Sequence, residues 1–246
     1  MKKLIVFTLC LLVLVGCSSK SPQSAALTDK QKIEMKSNQK RYQKRLKNVP
    51  VIESKQMQKV LTAVPTGYND ENMNFKALKK ANRYVVVAQV LNLTPMIGMP
   101  IAPETKATVY IKKVISGNQN LLGKTIKTTF SGGLTQVKDL YTSYGFKDPK
   151  EIVYYPSEIF PIPPIKSTVI MGLGKYLPEN KGQAKTYRKF GLTRKNYYPI
   201  TNSETTFWIR KNGKYKLNNP AFYENKAAKK YPNILKVTAQ LNQLEK

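Results

Sequence analysis

The chain has 246 residues, a formal net charge of +28 at pH 7, two cysteines and no histidine. The lack of histidine excludes Ser-His and Cys-His nucleophile pairs and the commonest metal ligand, so we expect no enzyme activity, no metal and no cofactor. The length suits one fair-sized domain with a tail, and so strong a positive charge indicates polyanionic partners rather than a particular fold.

The first segment predicts export. Lys2 and Lys3 precede an apolar run over residues 4–15, which is too short to cross a hydrocarbon core of about 30 Å. Gly16 and Cys17 follow, and Leu-Val-Gly-Cys resembles the lipobox of bacterial lipoproteins. The resemblance implies cleavage between these two residues and a diacylglyceryl group on the Cys17 thiol. The alternatives are a transmembrane anchor, or a plain signal peptide with a chance cysteine.

The lipobox therefore implies localisation at the outer, extracytoplasmic face of a Gram-positive-type cell membrane, held by the lipid. Cys10 would leave with the signal peptide at residues 1–16, so the mature chain has no thiol for a disulfide or a redox pair. Residues 17–50 are interpreted as a lipidated tether and a basic helical stalk. Its apolar residues are too sparse to predict a well-buried face: Ile33, Met35, Tyr42 and Leu46.

Residues 51–246 are predicted to form one β-rich domain. Weak helices are expected at 53–63 and 71–81. Val-rich or alternating runs then predict four strands, and the proline-rich stretch at 134–164 is predicted to contain no central strand. The strands are expected at 83–93, 105–115, 124–130 and 168–173.

The last part of the chain gives two sharper signals. Asn212-Gly213 lies between β-rich runs at 205–210 and 214–217, which predicts a type I′ hairpin. Residues 232–244 predict an amphipathic helix that begins at Pro232. We therefore expect a mainly β, α+β fold: a small antiparallel barrel or sandwich with flanking short helices and a C-terminal amphipathic helix.

The stretch Val85–Leu177 carries a resemblance. Its parts are the Val-rich strand at 84–90, the turn at 111–118, the Gly-Lys-Thr-Ile run at 123–126 with Gly132-Gly133, and the apolar strand at 169–173. In this order they resemble a widespread β-domain of secreted proteins and lipoproteins from Gram-positive bacteria such as lactic acid bacteria. The resemblance implies a compact barrel-like fold and no catalytic residues.

Two patterns suggest chemistry, and both have simpler readings. Ser37 and Lys40 match Ser-x-x-Lys, but they lie in a charged stretch where the lysine would stay protonated. Glu151 and Glu158 flank Tyr154-Tyr155-Pro156, which would suit a hydrolase of wall glycans. Surface acids paired with abundant lysines are the simpler explanation of the two glutamates.

The most suggestive pattern is an interleaving of basic and aromatic residues, since cations neutralise phosphates and rings offer stacking faces. Trp208 and Phe207 alternate on a strand, so one of them is expected to point inward. The predicted polyanion-binding residues are Lys185, Arg188, Lys189, Arg194, Lys195, Tyr197, Tyr198, Arg210, Lys211 and Lys214.

The favoured hypothesis is a non-enzymatic surface lipoprotein that contacts anionic envelope polymers. Teichoic acids and anionic lipid headgroups are the expected partners, and nucleic acid is a variant of the same chemistry. The alternatives are a structural module that docks on another envelope protein, and a wall-glycan hydrolase. A further alternative is that the positive charge is a general property of the protein surface and selects no particular partner.

Overall fold

A computed structural model describes residues 24–52, 68–99, 102–157, 160–223 and 227–244. The expected signal peptide, Gly16, Cys17 and the expected helix at 53–63 lie outside these ranges. The strands are β1 (Tyr84–Pro95), β2 (Glu104–Ser116), β3 (Thr125–Ser131), β4 (Gly133–Gln136), β5 (Ile152–Tyr155), β6 (Thr168–Leu173), β7 (Phe207–Lys211) and β8 (Lys214–Leu217). The helices are α1 (Asp29–Leu46), α2 (Phe75–Ala81), α3 (Lys181–Lys189), α4 (Ala227–Lys230) and α5 (Pro232–Gln243).

Six strands form one sheet in the order β3-β2-β1-β6-β7-β8, with every neighbouring pair antiparallel. Strands β4 and β5 form a separate two-stranded sheet. The expected α+β class is confirmed, but the six-stranded sheet is not a closed barrel. Strand β3 does not pair with β8, and its outer edge is bridged at Lys127 by Tyr197 from the segment after α3.

Both faces of the sheet are covered, so consecutive residues of its central strand are buried. Val86 contacts the core on the side of α1, and its neighbours Val85 and Val87 contact the core formed with α2 and α5. Phe207 likewise packs into the core on the side of α1, and Trp208 packs into the core on the side of α2 and α5, with exposures of 2% and 0%. The expected alternation places the two rings on opposite faces of the sheet, and both rings are buried because both faces are covered.

Helix α1 packs along β1 and does not project as a solvated stalk. Thr28 caps the helix through a capping box with Gln31. In it, the Thr28 main-chain N–H donates to the Gln31 side-chain oxygen at 2.9 Å. Met35 and Tyr42, two helical turns apart, are buried, and the Asn38 amide between them donates to the Leu91 carbonyl at 3.2 Å. Leu46 of the same helix also packs against this core, so a few well-spaced apolar side chains and one side-chain hydrogen bond dock a helix whose sequence is mostly polar.

Helix α5 packs on the opposite face through Ile234, Val237 and Leu241, all at most 1% exposed. The indole N–H of Trp208 on β7 donates to the Thr238 hydroxyl of this helix at 2.9 Å. The helix therefore forms part of the core, and the predicted amphipathic pattern is confirmed for these three positions. Leu244, the fourth predicted position, is 43% exposed.

The sequence patterns located most of the sheet. The four predicted strands correspond to β1, β2, β3 and β6 within two residues. The hairpin of β7 and β8 is also confirmed, since Asn212 and Gly213 have φ angles of 50° and 78°, as a type I′ turn requires. Strands β4 and β5 and helix α3 were not predicted. Among the described residues, no helix has the length and apolar character needed to cross a bilayer.

Candidate functional site

Five of the predicted cations lie together on α3 and the turn that follows it. Asn180 caps this helix by accepting from the Gln183 N–H at 2.9 Å. Residues 180–203 contain six lysines and arginines and no acid. We call the five predicted cations, all exposed, the α3 face: Lys185, Arg188, Lys189, Arg194 and Lys195.

Two strand lysines fasten the α3 face to the sheet. The Lys106 ammonium on β2 donates to the Phe190 carbonyl at 2.7 Å, and the Lys127 ammonium on β3 donates to the Gly191 carbonyl at 2.9 Å. Burial, followed by the nearby charge of Lys127, lowers the pKa of Lys106. The carbonyls at the end of α3 thus hold two lysines beside the five exposed cations, which concentrates positive charge at the β3 edge.

The two predicted tyrosines of the set do not share this exposure. Tyr197 is 4% exposed, and its ring lies within 4.9 Å of Tyr176 and 5.4 Å of Tyr187, centroid to centroid. Tyr198 is half-buried, with its ring 5.9 Å from that of Tyr84. These rings stabilise the docking of the α3 segment and do not offer free faces for stacking.

The remaining three predicted cations lie at the other edge of the sheet. Arg210, Lys211 and Lys214 are exposed on the hairpin of β7 and β8, and we call them the hairpin face. The Arg210 guanidinium lies 5.9 Å from the Tyr215 ring centroid. Because β3 and β8 are opposite edge strands, the eight cations predicted as parts of one surface form two separate cationic faces.

A third cationic feature lies between α1 and β1 and was not predicted as a site. A groove of about 180 Å³ is lined there by Arg41 and Arg45, one helical turn apart, with Asn38 and Thr94 beside them. Both arginines are exposed. Paired guanidinium groups beside amide and hydroxyl groups suit a phosphate or carboxylate.

The described residues also contain a cavity of about 280 Å³ with one carboxyl group, that of Glu104 at the start of β2. The Tyr187 hydroxyl donates to Glu104 Oε2 at 2.9 Å, and the Thr129 hydroxyl donates to Oε1 at 3.4 Å. Burial raises the pKa of Glu104, and these hydrogen bonds lower it in part. Phe130 and Phe207, stacked at 5.3 Å, form part of the wall.

Sequence reasoning missed Glu104 because its position alternates with the buried Thr105 and Ala107, which places it on the face of β2 that reads as polar. Only the docking of α3 encloses that face. Of the two glutamates suggested for glycan hydrolysis, Glu151 is half-buried and Glu158 lies outside the described residues. In the described ranges, no group of three or more metal-ligating side chains is found.

The comparisons with known proteins add no relative. The chain matches no family model, and neither a curated protein nor a solved structure is significantly similar to it.

Proposed function

We propose that this protein is a non-enzymatic lipoprotein of the cell surface, anchored by a lipid on Cys17, that contacts anionic envelope polymers. The observation that carries the proposal is the α3 face, an exposed group of five cations in a segment without an acid. Teichoic acid is the expected polymer, and anionic lipid headgroups suit the groove of Arg41 and Arg45.

The ion-pair pattern supports this proposal. Lys32 and Asp29, 2.8 Å apart, make the one salt bridge found within the described residues. The chain has 42 lysines and arginines against 14 acids, so neighbouring carboxylates cannot neutralise most of its cations. Exposed cations without local partners are available to bind the phosphates of a polymer, and they release its counterions when they do so.

The docking of α3 supports it further. A cationic segment would ordinarily lose conformational entropy when it binds a polymer. Here the Tyr176, Tyr187 and Tyr197 cluster and the bonds from Lys106 and Lys127 already order the backbone. Part of that entropy cost is therefore met on folding, which favours a rigid binding face over a disordered basic tail.

The test is the binding of purified teichoic acid by the full-length chain in a non-ionic detergent, measured over a range of salt concentrations. The triple variant Lys185→Gln, Arg188→Gln, Lys189→Gln is compared with a control of equal charge loss, Lys138→Gln, Lys147→Gln, Lys150→Gln, all exposed elsewhere. The first variant should reduce the slope of log K against log salt by about 2, if the polymer behaves like single-stranded nucleic acid, and the control should not.

Three outcomes would count against the proposal. Wild-type protein that does not retain the polymer at low salt would refute it. Equal losses in the two triple variants would show that the charge is general and that the α3 face is not a site. A protein partner from the envelope that stays bound at high salt would favour a docking module instead, and competition by DNA would separate nucleic acid from teichoic acid.

A further inference from the structure

The cavity at Glu104 contains an unusual arrangement for so basic a chain. The cations outnumber the acids three to one, yet no lysine or arginine among the described residues lies within salt-bridge distance of the Glu104 carboxylate. Its hydrogen-bond partners are the neutral hydroxyls of Tyr187 and Thr129. The carboxylate is thus held in place by neutral groups and faces a cavity, and no cation among the described residues forms a salt bridge with it.

Five of the eleven residues that line the cavity are aromatic. Phe130, Phe160 and Phe207 lie in the lining with Tyr187 and Tyr197. The negative faces of aromatic rings attract an ammonium group, and the attraction is stronger when the cation is shielded from water. A single carboxylate in a cavity with such walls supplies the two interactions that recognise an organic cation.

From this geometry we infer that the cavity binds a small ligand with a primary ammonium group on an apolar stem. The ammonium group takes the position beside Glu104, and the stem packs against the phenylalanines. The volume of about 280 Å³ lies at the lower limit for small-molecule sites, so the occupant is a small molecule or one terminal group of a larger one.

This inference goes beyond the proposed function and does not depend on it. The α3 face would bind a polyanion through exposed lysines and arginines, whereas the cavity binds a cation through an enclosed acid. The two are linked in one respect, because Tyr187 belongs to α3 and its hydroxyl holds Glu104. Failure of polymer binding would leave this inference standing, and the reverse also holds.

The experiment uses 2-phenylethylamine as the cationic probe and 2-phenylethanol as its neutral analogue of nearly equal size. Binding to the full-length chain in non-ionic detergent is measured by calorimetry at pH 7.5. We expect the amine to bind about tenfold more tightly than the alcohol, as a charge-assisted hydrogen bond and a cation–π contact favour it. Phenylacetate, an anion of similar shape, should not bind.

The matched variants are Glu104→Gln, which keeps the shape but removes the charge, and Glu179→Gln, which removes an exposed acid just before α3. Glu104→Gln should weaken amine binding about tenfold and leave alcohol binding within about twofold, while Glu179→Gln should change neither. Equal binding of amine and alcohol, no amine binding by wild-type protein, or equal amine affinities of Glu104→Gln and wild type would each overturn the inference.

A measurement on the wild type keeps the inference testable should Glu104→Gln fail to fold. The other titratable groups near Glu104 are the tyrosines 176, 187 and 197, whose pKa values burial raises further above neutrality. The nearby cations are Arg188, Arg194 and Lys106. Amine affinity should therefore fall as the pH is lowered and Glu104 takes up a proton, and an amine affinity independent of pH would refute the assignment.

Discussion

Asp70 holds the N-terminus of a helix that begins more than 160 residues later in the chain. Its carboxylate accepts from the main-chain N–H groups of Asn233 at 2.7 Å and Ile234 at 3.0 Å, and from the Tyr68 hydroxyl at 2.8 Å. Tyr231, at the N-cap position of α5, gives no side-chain cap. Asp70 therefore supplies the cap from another part of the fold, and we predict that Asp70→Ala destabilises the whole domain.

The magnitude follows from these bonds. A hydrogen bond to a charged group contributes about 1.5–3 kcal/mol, and a helix cap alone about 1 kcal/mol. The three bonds share one carboxylate and do not add, so we expect Asp70→Ala to lower the free energy of unfolding by about 3 kcal/mol. Asp70→Asn keeps an acceptor oxygen and should cost about half as much. The larger loss corresponds to a fall in Tm of about 6–12 °C.

The assay is urea unfolding followed by the fluorescence of Trp208. This residue is the one tryptophan in the chain, and its indole N–H bonds to Thr238 of α5, so its emission reports the docking of the helix that Asp70 caps. Glu71→Gln, a neighbouring exposed acid, is the control and should change the free energy by less than about 0.5 kcal/mol. A loss below about 1 kcal/mol in Asp70→Ala would refute the reasoning.

Three further predictions follow from other parts of the chain. The N-terminal peptide of the wild type should carry a diacylglyceryl group by mass spectrometry, and Cys17→Ser should take up no labelled palmitate; uptake by the variant would contradict the anchor. Burial raises the pKa of Glu104, so its carboxyl stabilises the fold when protonated and this stability is lost as the pH rises through the folded-state pKa. Glu104→Gln should therefore be more stable than the wild type at pH 7 in urea unfolding, with a smaller difference at acid pH, and a constant difference would argue against burial as the cause. Gly172→Ala should abolish soluble folding, because the new methyl group would collide with Asn82 Oδ1, whereas Gly213→Ala, with open space and a φ of 78°, should cost only about 1 kcal/mol by thermal melting.

Sequence patterns predicted those parts of the fold whose structure depends on residues close together in the chain. The Val-rich run of β1, the alternation in β2 and the Asn212-Gly213 turn each report burial or backbone geometry within a few residues. Helix α3 was missed because none of its residues is buried, so no apolar stripe marks it. Its place depends instead on the tyrosine cluster and on Lys106 and Lys127, which lie more than 50 residues earlier in the chain.

For the candidate sites, too, features set by local sequence were predictable and features set by tertiary contacts were not. The cations of the α3 face were predictable from composition, since lysines and arginines in an acid-free stretch are almost always exposed. The burial of Tyr197 was not predictable, because an aromatic residue next to lysines in the sequence is equally compatible with an exposed stacking surface and with a buried core position. Glu104 gave no sequence signal at all, since its meaning depends on which segment covers the polar face of β2.

The docking of α1 limits how far the protein would extend from a lipid on Cys17. The Ala25 N–H donates to the Lys112 carbonyl at 2.7 Å, and the Tyr110 hydroxyl donates to the Ala26 carbonyl at 2.9 Å, so the chain is held against the sheet from residue 25 onward. If Cys17 is in the outer leaflet, the eight residue-to-residue steps from Cys17 to Ala25 span at most about 30 Å when fully extended. The domain is then a short-range component of the membrane surface, which meets polymers that approach the bilayer and does not sample the depth of the wall.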